Sequence, residues 1–440
     1  QAHLNLGAVL KDLGQLKEAE KCNRKAIELN PDFAIAHSNL GNILTDLGNL
    51  QEAEKCHRKA IELNPNFAEA HSNLGTILGN LGQLKEAELS ILKAIKLKPD
   101  IAKPYLSLSI LNPSSNNNSW QDSLFSKSIL NNKGKKDLID IYFARANILE
   151  EKCDFSQASV FLKKANNLNS SIYGSNYLDI KLKLESFYKE WQENEINLNL
   201  IRNLPIPIFI VGMPRSGKTI TESILACNNK LIKCGENPAL VEAIKIYLEE
   251  KEKSLTPNLY KLFLENIEIE FPEESFICTT TPMNIIYTGL ITSQMPTAKV
   301  IYCYRNPLDH ITELYKKNMG NKHTYSCSVV ESANLWINFY SLMEKYKRRY
   351  ESKIYFQNYD NLVSNTEKSI KDLLSWMGWK NHNKYLEPNL DPTTIRLSNR
   401  VDSRIINKNE LSSWENYREL LQPAINIFNG STEFGWLIKK

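Results

Sequence analysis

The sequence predicts two parts, a stack of helical hairpins followed by an α/β domain with a mainly parallel sheet. Three observations predict this architecture. The chain has 440 residues, too many for one core, and its N-terminal part repeats every 34 residues. Farther along, an apolar run, a glycine-containing loop and a helical pattern follow one another from about residue 208. We expect the hairpins at residues 1–170, a helical linker at 171–204 and the α/β domain at 205–440.

Small residues and prolines recur in phase along the N-terminal part. Gly7, Gly41 and Gly75 are spaced by one period, and alanines and a proline follow each of them at constant distances. Small residues let two helices pack closely and proline cannot continue a helix, so each unit is predicted to be a helical hairpin. The pattern resembles the tetratricopeptide repeat, with three regular and about two degenerate copies.

An asparagine occupies one position in all three regular repeats, at Asn5, Asn39 and Asn73. A repeat stack presents a concave surface built from its first helices, so we expect these amides to form a ladder there. An amide both donates and accepts hydrogen bonds, which suits an extended peptide backbone. The ladder predicts a peptide or protein partner, and a merely solvated polar face is the alternative.

Composition excludes several classes of protein. A net charge of +4 over 440 residues is small for a dedicated nucleic-acid binder, so no nucleic-acid partner is expected. The eight cysteines form no Cys-x-x-Cys pair, and no metal site is predicted. No apolar run approaches the roughly 18 residues that span a bilayer. With no visible signal peptide and with thiols inside apolar patterns, we expect a cytoplasmic location.

The second part opens on a phosphate-binding signature. Gly212 to Thr219 fits the pattern G-x-x-x-x-G-K-[ST], preceded by the apolar run Ile208–Val211 and followed by a helical pattern. In such a loop, backbone N–H groups at the start of the helix face an anion. Taken alone, the motif would also fit a nucleotide-dependent kinase or ATPase.

Other segments favour a different family of phosphate-loop proteins. The segments FIVGMPRSG, CGENP (234–238), YRNPLDHITELY (304–315) and YFQNYDNLV (355–363) resemble those of bacterial sulfotransferases that carry tetratricopeptide repeats. The first segment is also similar to the loop of tyrosylprotein sulfotransferases. A Walker-type ATPase should carry an aspartate at the end of an apolar strand to hold magnesium, whereas Arg305 follows the apolar run that ends at Tyr304.

The resemblance implies a sulfuryl donor, 3′-phosphoadenosine-5′-phosphosulfate, and a hydroxyl acceptor on a protein or possibly a glycan. It implies that Glu236 is the general base and that Arg215 binds developing negative charge near the acceptor. The family usually has threonine at the position of Lys218, and this lysine could neutralise the bridging oxygen as it gains charge. The implied donor-binding residues are Arg215, Ser216, Gly217, Lys218, Thr219, Arg305 and Glu313. Structural alternatives exist: Glu236 could cap the next helix, and Arg305 could pair with Asp309.

Three positions depart from the family pattern. A lysine of the family aligns with Thr280, a serine with Glu313 and a basic residue with Asp402. A carboxylate near a predicted phosphate repels that anion. Either Lys218 replaces the missing lysine from the neighbouring loop, or the domain has lost its standard donor and serves as a catalytically decayed repeat adaptor.

Overall fold

The computed structural model describes residues 1–111, 119–188, 204–253, 258–267, 269, 271–272, 274–380, 385–386, 411–431 and 434. These residues fall into two compact units, the first ending at Ile172 and the second beginning at Tyr173. Within the described ranges, no helix has both the length and the apolar character needed to cross a membrane. The same ranges hold no cluster of three or more His, Cys, Asp or Glu side chains suited to a metal ion.

The first unit consists of α-helices arranged as hairpins. Its helices are α1 (Ala2–Asp12), α2 (Leu16–Leu29), α3 (Ala34–Asp46), α4 (Leu50–Leu63), α5 (Ala68–Asn80), α6 (Leu84–Leu97), α7 (Ala102–Leu111), α8 (Ser119–Phe125), α9 (Lys135–Glu151) and α10 (Phe155–Tyr173). Close helix pairing requires the small residues that repeat in the sequence. A Cβ atom at Gly75 would lie 2.4 Å from Cγ1 of Ile91, and Ala53 and Ala87 are fully buried. The predicted helical hairpins are therefore confirmed.

The regularity ends after α6. Residues 112–118, within the polar loop expected from the sequence, lie outside the described residues. Tyr105, Trp120 and Ile141 join one apolar cluster, so α7, α8 and α9 share a core. Arg145 of α9 donates hydrogen bonds to the backbone oxygens of Leu124 and Ser126 at 3.0 and 2.9 Å, which ties α8 and the turn after it to α9.

The second unit is built on one five-stranded sheet in which every pair of neighbouring strands is parallel. Its strands are β1 (Ile206–Val211), β2 (Leu231–Gly235), β3 (Phe276–Thr279), β4 (Lys299–Tyr304) and β5 (Ile354–Asn358). They lie in the order β2-β3-β1-β4-β5, so β1 is central. Ile208 to Val211 are all fully buried, as expected for a strand covered on both faces. The predicted parallel sheet is confirmed, as is the pairing of β1 with β4.

Helices cover both faces of this sheet. They are α11 (Tyr177–Phe187), α12 (Lys218–Leu225), α13 (Ala239–Glu252), α14 (Leu259–Ile267), α15 (Thr288–Gln294), α16 (Pro307–Tyr315), α17 (Val329–Arg349), α18 (Tyr359–Ser364), α19 (Thr366–Met377) and α20 (Gln422–Gly430). Successive side chains of a strand point to opposite faces. Ile208 packs with Leu373 of α19, whereas Phe209 contacts Phe263 of α14 with ring centroids 5.2 Å apart.

Helix α11 falls in the range expected to be a linker, and it packs within the second unit. The backbone N–H of Asn176 donates to Oγ1 of Thr324 at 2.9 Å, and the ring of Phe187 meets that of Tyr287 edge-on at 4.8 Å. This helix is therefore an integral element of the second unit. Residues 189–203 of the expected linker lie outside the described residues.

Candidate phosphate-binding site

The site lies at the carboxyl edge of the sheet, where β1 and β4 end side by side. After β1 the chain crosses towards β2, whereas after β4 it crosses to β5 on the opposite side. Ligands of open parallel sheets bind at such a divergence of connections. The loop that begins at Gly212 follows β1, and Arg305 follows β4 directly, so the sheet brings these two predicted elements to the same edge.

The loop after β1 packs between β4 and the start of α18. Gly212 and Gly217 have φ angles of +139° and +94°, a region that favours glycine. A Cβ atom at Gly212 would lie 2.3 Å from the backbone oxygen of Cys303, and one at Gly217 would lie 2.7 Å from Cδ2 of Tyr359. The tight turn of this loop therefore depends on both glycines.

Two buried polar side chains point to an anion as the ligand of the loop. Ser216 is 1% exposed, and its Oγ has no hydrogen-bond partner within the described ranges. Lys218 opens α12 and donates from Nζ to the backbone oxygen of Met213 at 3.0 Å. Its burial lowers the pKa of the ammonium group to about 8. Thr219 follows in the same first turn, where backbone N–H groups have no partner within the helix.

Arg215 is held by a carboxylate from another element. Its Nη2 atom lies 3.5 Å from Oε2 of Glu313 on α16, and Lys316 Nζ lies 3.1 Å from the other oxygen. Burial would raise the pKa of Glu313, but the positive charges of Lys316 and Arg215, with those of Lys317 and Arg305, outweigh it and keep the pKa far below its usual range. Glu313 is therefore charged, and it connects α16 to the loop.

Arg305 is a buried cation stacked on an aromatic ring. It is 2% exposed, and its guanidinium carbon lies 4.8 Å from the ring centroid of Tyr359. Asp309, the alternative partner considered for Arg305, lies close enough for the charge of Arg305 to oppose the rise of its pKa on burial, and it also accepts three hydrogen bonds from the C-terminal segment. The donors are Ser412 N, Ser413 Oγ and Trp414 N, at 2.9, 3.1 and 3.0 Å.

Glu236 is exposed at the end of β2, close enough to Lys218 for its charge to matter. Burial dominates the lowered pKa of Lys218, and the negative charge of Glu236 acts against it. Helix α13 begins without any contribution from this carboxylate, because Asn237 Oδ1 accepts from the N–H of Ala239 at 2.7 Å. The structure thus attributes the capping role to Asn237 and leaves Glu236 exposed, with its charge acting on Lys218.

Two of the three positions that depart from the family pattern lie within the described residues. Thr280 follows β3, is buried, and donates from its backbone N–H to the oxygen of Gly235 at 2.8 Å, so it lies beside the end of β2. Glu313 is the carboxylate already described in contact with Arg215. Asp402 lies outside the described residues.

Two of the three asparagines that recur with the repeat period line one cavity of the first unit. Asn39 and Asn73 both line a space of about 310 Å³ between α3, α5 and α7. Asn73 donates to Asn42 Oδ1 at 2.9 Å and accepts from Lys103 Nζ at 2.8 Å. Asn5 does not line this cavity; it is exposed on α1 and accepts a hydrogen bond from Gln1 at 2.9 Å.

Sequence reasoning missed several of these participants. Tyr359 is far in sequence from Gly217, and Asn42 and Lys103 do not recur with the repeat period. Asp309 was considered only as a partner of Arg305, and its contacts with residues 412–414 were not expected. The sequence offered one usable signal, since Asp309 lies in the motif that also contains Arg305.

Family models match both units. Residues 207–383 match the sulfotransferase family, and residues 1–33, 34–67 and 58–88 match tetratricopeptide repeat models. The chain therefore carries tetratricopeptide repeats followed by a sulfotransferase-family domain.

Individual proteins resemble parts of the chain. An uncharacterized protein of Aquifex aeolicus (strain VF5) is 24% identical over 308 residues, which cover 65% of this chain and 40% of that protein. The chain thus matches about two fifths of the length of this relative. The sulfotransferase domain of the Synechococcus PCC 7002 olefin synthase is 17% identical and covers 54% of this chain and 98% of that one, with a TM-score of 0.37. The sulfotransferase domain from the curacin biosynthetic pathway is 16% identical over 48% of this chain and 91% of that one, with a TM-score of 0.33.

Proposed function

We propose that the second unit transfers a sulfuryl group from 3′-phosphoadenosine-5′-phosphosulfate to a hydroxyl group of a protein or glycan, and that the repeats recruit the acceptor or a partner protein. The observation that carries the proposal is the loop after β1, in a domain that matches the sulfotransferase family. It combines the buried ammonium of Lys218 with the unpartnered, buried hydroxyl of Ser216. Both groups suit a phosphosulfate anion at the start of a helix.

The chemistry required of these residues is positioning and charge stabilisation. The acceptor oxygen forms a bond to sulfur while the bond from sulfur to the 5′-phosphate oxygen breaks, and 3′-phosphoadenosine-5′-phosphate leaves. Glu236, exposed at the end of β2, takes the proton of the acceptor hydroxyl. Lys218 offsets the charge that develops on the leaving oxygen, and Arg215 contributes positive charge from the loop.

For the repeats, the cavity lined by Asn39 and Asn73 supports recruitment of an extended peptide. Asn73 there donates a hydrogen bond to Asn42 and accepts one from Lys103. An amide carries two N–H donors and an oxygen with two lone pairs, so a peptide backbone could extend this chain of hydrogen bonds. A cytoplasmic location is part of the same proposal and rests on buried thiols such as Cys278 and Cys303.

A catalytically decayed adaptor is the second candidate, and one observation favours it. Glu313 forms an ion pair with Arg215, and Thr280 stands where the family has a lysine. The site therefore holds less uncompensated positive charge than the resemblance to the sulfotransferase family implies.

Calorimetric titration of the purified chain with 3′-phosphoadenosine-5′-phosphate, ATP and GTP tests the proposal. We expect the first nucleotide to bind most tightly and Lys218→Met to weaken it at least about tenfold, because a charge-assisted contact is lost. Lys245→Met, which removes an exposed lysine of α13, serves as the control. Transfer of radioactive sulfur from the labelled donor to protein and glycan acceptors then identifies the acceptor class. Preferential binding and hydrolysis of ATP would refute the proposal, and binding of the 3′-phosphorylated nucleotide without transfer would favour the adaptor.

A further inference from the structure

We propose that Glu313 makes the donor site nearly indifferent to a 3′-phosphate, so that two adenosine nucleotides with the same 5′-phosphate, one with and one without the 3′-phosphate, bind with similar affinity. The inference rests on the proposed function, because it concerns the nucleotide whose 5′ group occupies the loop after β1. It makes Glu313 the specificity-determining residue of the site.

The carboxylate of Glu313 already forms ion pairs with two cationic side chains. Glu313 is 6% exposed, with one oxygen 3.5 Å from Arg215 Nη2 and the other 3.1 Å from Lys316 Nζ. A buried ion pair of this kind persists because removing either partner leaves an uncompensated charge. An anionic group of a ligand would therefore compete with an internal carboxylate for the same two side chains.

Arg305 is the residue expected to meet a 3′-phosphate. Its charge acts on three carboxylates, those of Asp309, Asp360 and Glu313. Burial raises the pKa of both Asp309 and Asp360, and the positive charge of Arg305 opposes that rise in each case. Arg305 is itself only 2% exposed and stacks on Tyr359, and these carboxylates offset part of its positive charge before an incoming group arrives.

Carboxylates partly balance the positive charges around α16. Four cationic side chains act on Glu313, namely Lys316, Arg215, Lys317 and Arg305. Glu313 offsets part of this positive charge, and Asp309 and Asp360 both offset that of Arg305. A phosphate monoester, which carries about −1.5 to −2 charges at pH 7, would therefore meet cations whose charge is already partly compensated.

The loop after β1 differs from the region around Arg305 in its balance of charge. Lys218 and the unpartnered hydroxyl of Ser216 lie at the start of α12, where backbone N–H groups add further donors. One anionic group, the 5′ group of the nucleotide, is thus strongly favoured, whereas a second phosphate near Arg305 gains little. Nucleotide affinity should then depend mainly on the 5′ group.

The direct test compares 3′-phosphoadenosine-5′-phosphate with adenosine 5′-phosphate by calorimetric titration of the unmodified full chain. We expect the two dissociation constants to agree within about threefold, since the extra phosphate gains little net interaction. If the 3′-phosphorylated nucleotide binds more than about tenfold tighter, the inference is wrong while the proposed function stands. If neither nucleotide binds, the proposed function fails and the inference fails with it.

A substitution then assigns the effect to one side chain. Glu313→Ser should favour the 3′-phosphorylated nucleotide at least about tenfold over adenosine 5′-phosphate, because one nearby negative charge is lost. The control is Glu242→Gln, which removes an exposed carboxylate with the same i, i+3 lysine pairing. Glu313→Gln, which keeps the size of the side chain, is measured alongside in case the serine variant does not fold. An unchanged ratio of the two affinities in the folded variants would overturn the inference.

Discussion

Gly217 of the loop after β1 packs directly against the ring of Tyr359, at the junction of β5 and α18. A Cβ atom at Gly217 would come within 2.7 Å of Cδ2 of that ring, and the guanidinium of Arg305 lies over the same ring at 4.8 Å. Tyr359 therefore joins the loop after β1 to the residue after β4. Because of this contact, even the methyl group of an alanine at position 217 would disturb the loop.

Gly217→Ala should abolish nucleotide binding, because its methyl group would displace the loop from Tyr359. The φ angle of +94° adds a backbone cost of about 1–2 kcal/mol for any residue with a side chain. Gly378→Ala is the matched control, since its φ is +72° but nothing lies within 4 Å of the added atom. We expect calorimetry to show intact binding of 3′-phosphoadenosine-5′-phosphate by the control alone. Equal binding by both variants would contradict the packing argument.

Lys218 should make anion binding depend on pH. Burial lowers the pKa of its ammonium group to about 8, so the group is charged below this pH and loses its charge above it. Affinity for 3′-phosphoadenosine-5′-phosphate should fall about tenfold between pH 7 and pH 9, where only roughly a tenth of the free protein keeps the charge. Lys218→Arg stays charged throughout and should show a flat profile. A flat profile in the unmodified chain would exclude Lys218 from the anion site.

Asp309 should anchor the C-terminal segment to α16. Its carboxylate is 2% exposed and accepts hydrogen bonds from residues 412, 413 and 414, among which Trp414 is buried. Asp309→Ala removes three hydrogen bonds, two of them from backbone N–H groups, and should expose the indole. Tryptophan emission should shift to the red, and hydrogen exchange around Trp414 should accelerate. Asp372→Ala, an exposed carboxylate on α19, is the control and should change neither signal.

His57 should make the repeats sensitive to acid. It is fully buried against Gly41, and neither ring nitrogen has a hydrogen-bond partner in the part of the chain that the structure describes. Burial, aided by the charges of Lys103 and Lys11, lowers its pKa to about 4. Between pH 6.5 and 4 the unfolded chain binds the proton and the folded chain does not, so stability should fall by about 3 kcal/mol as the pH drops through this window.

A substitution taken from a neighbouring hairpin tests this prediction. The third hairpin carries Ile91 at the position of His57, packed against Gly75 in the same way. His57→Ile should therefore preserve packing and reduce the pH dependence of the free energy of unfolding, measured by urea titration of helical circular dichroism at pH 4.5, 5.5 and 7. Identical pH dependence in the variant and the unmodified chain would show that His57 does not titrate on unfolding.

The sequence by itself determined the hairpins, the glycine-containing loop after β1 and the parallel sheet. The hairpins follow from Gly41 and Gly75 because close helix packing admits only small residues, and that requirement repeats with the period of the unit. The loop follows from Gly212 and Gly217, whose positive φ angles few other residues adopt. These features depend on local backbone geometry and on which side chains are buried, and both leave regular patterns along the chain.

Only the tertiary structure decided which side chains meet at the edge of the sheet. The contacts of Glu313 with Arg215 and of Tyr359 with Gly217 join residues about a hundred or more positions apart. They arise because β4 and β5 lie in succession on one side of β1, an order that no local pattern encodes. Charge compensation around Arg305 depends in the same way on the fold, which brings Asp309, Asp360 and Glu313 close enough for its charge to act on each of them. The sequence therefore predicted which loop and which arginine lie at this edge of the sheet, whereas the fold determined which carboxylates meet them.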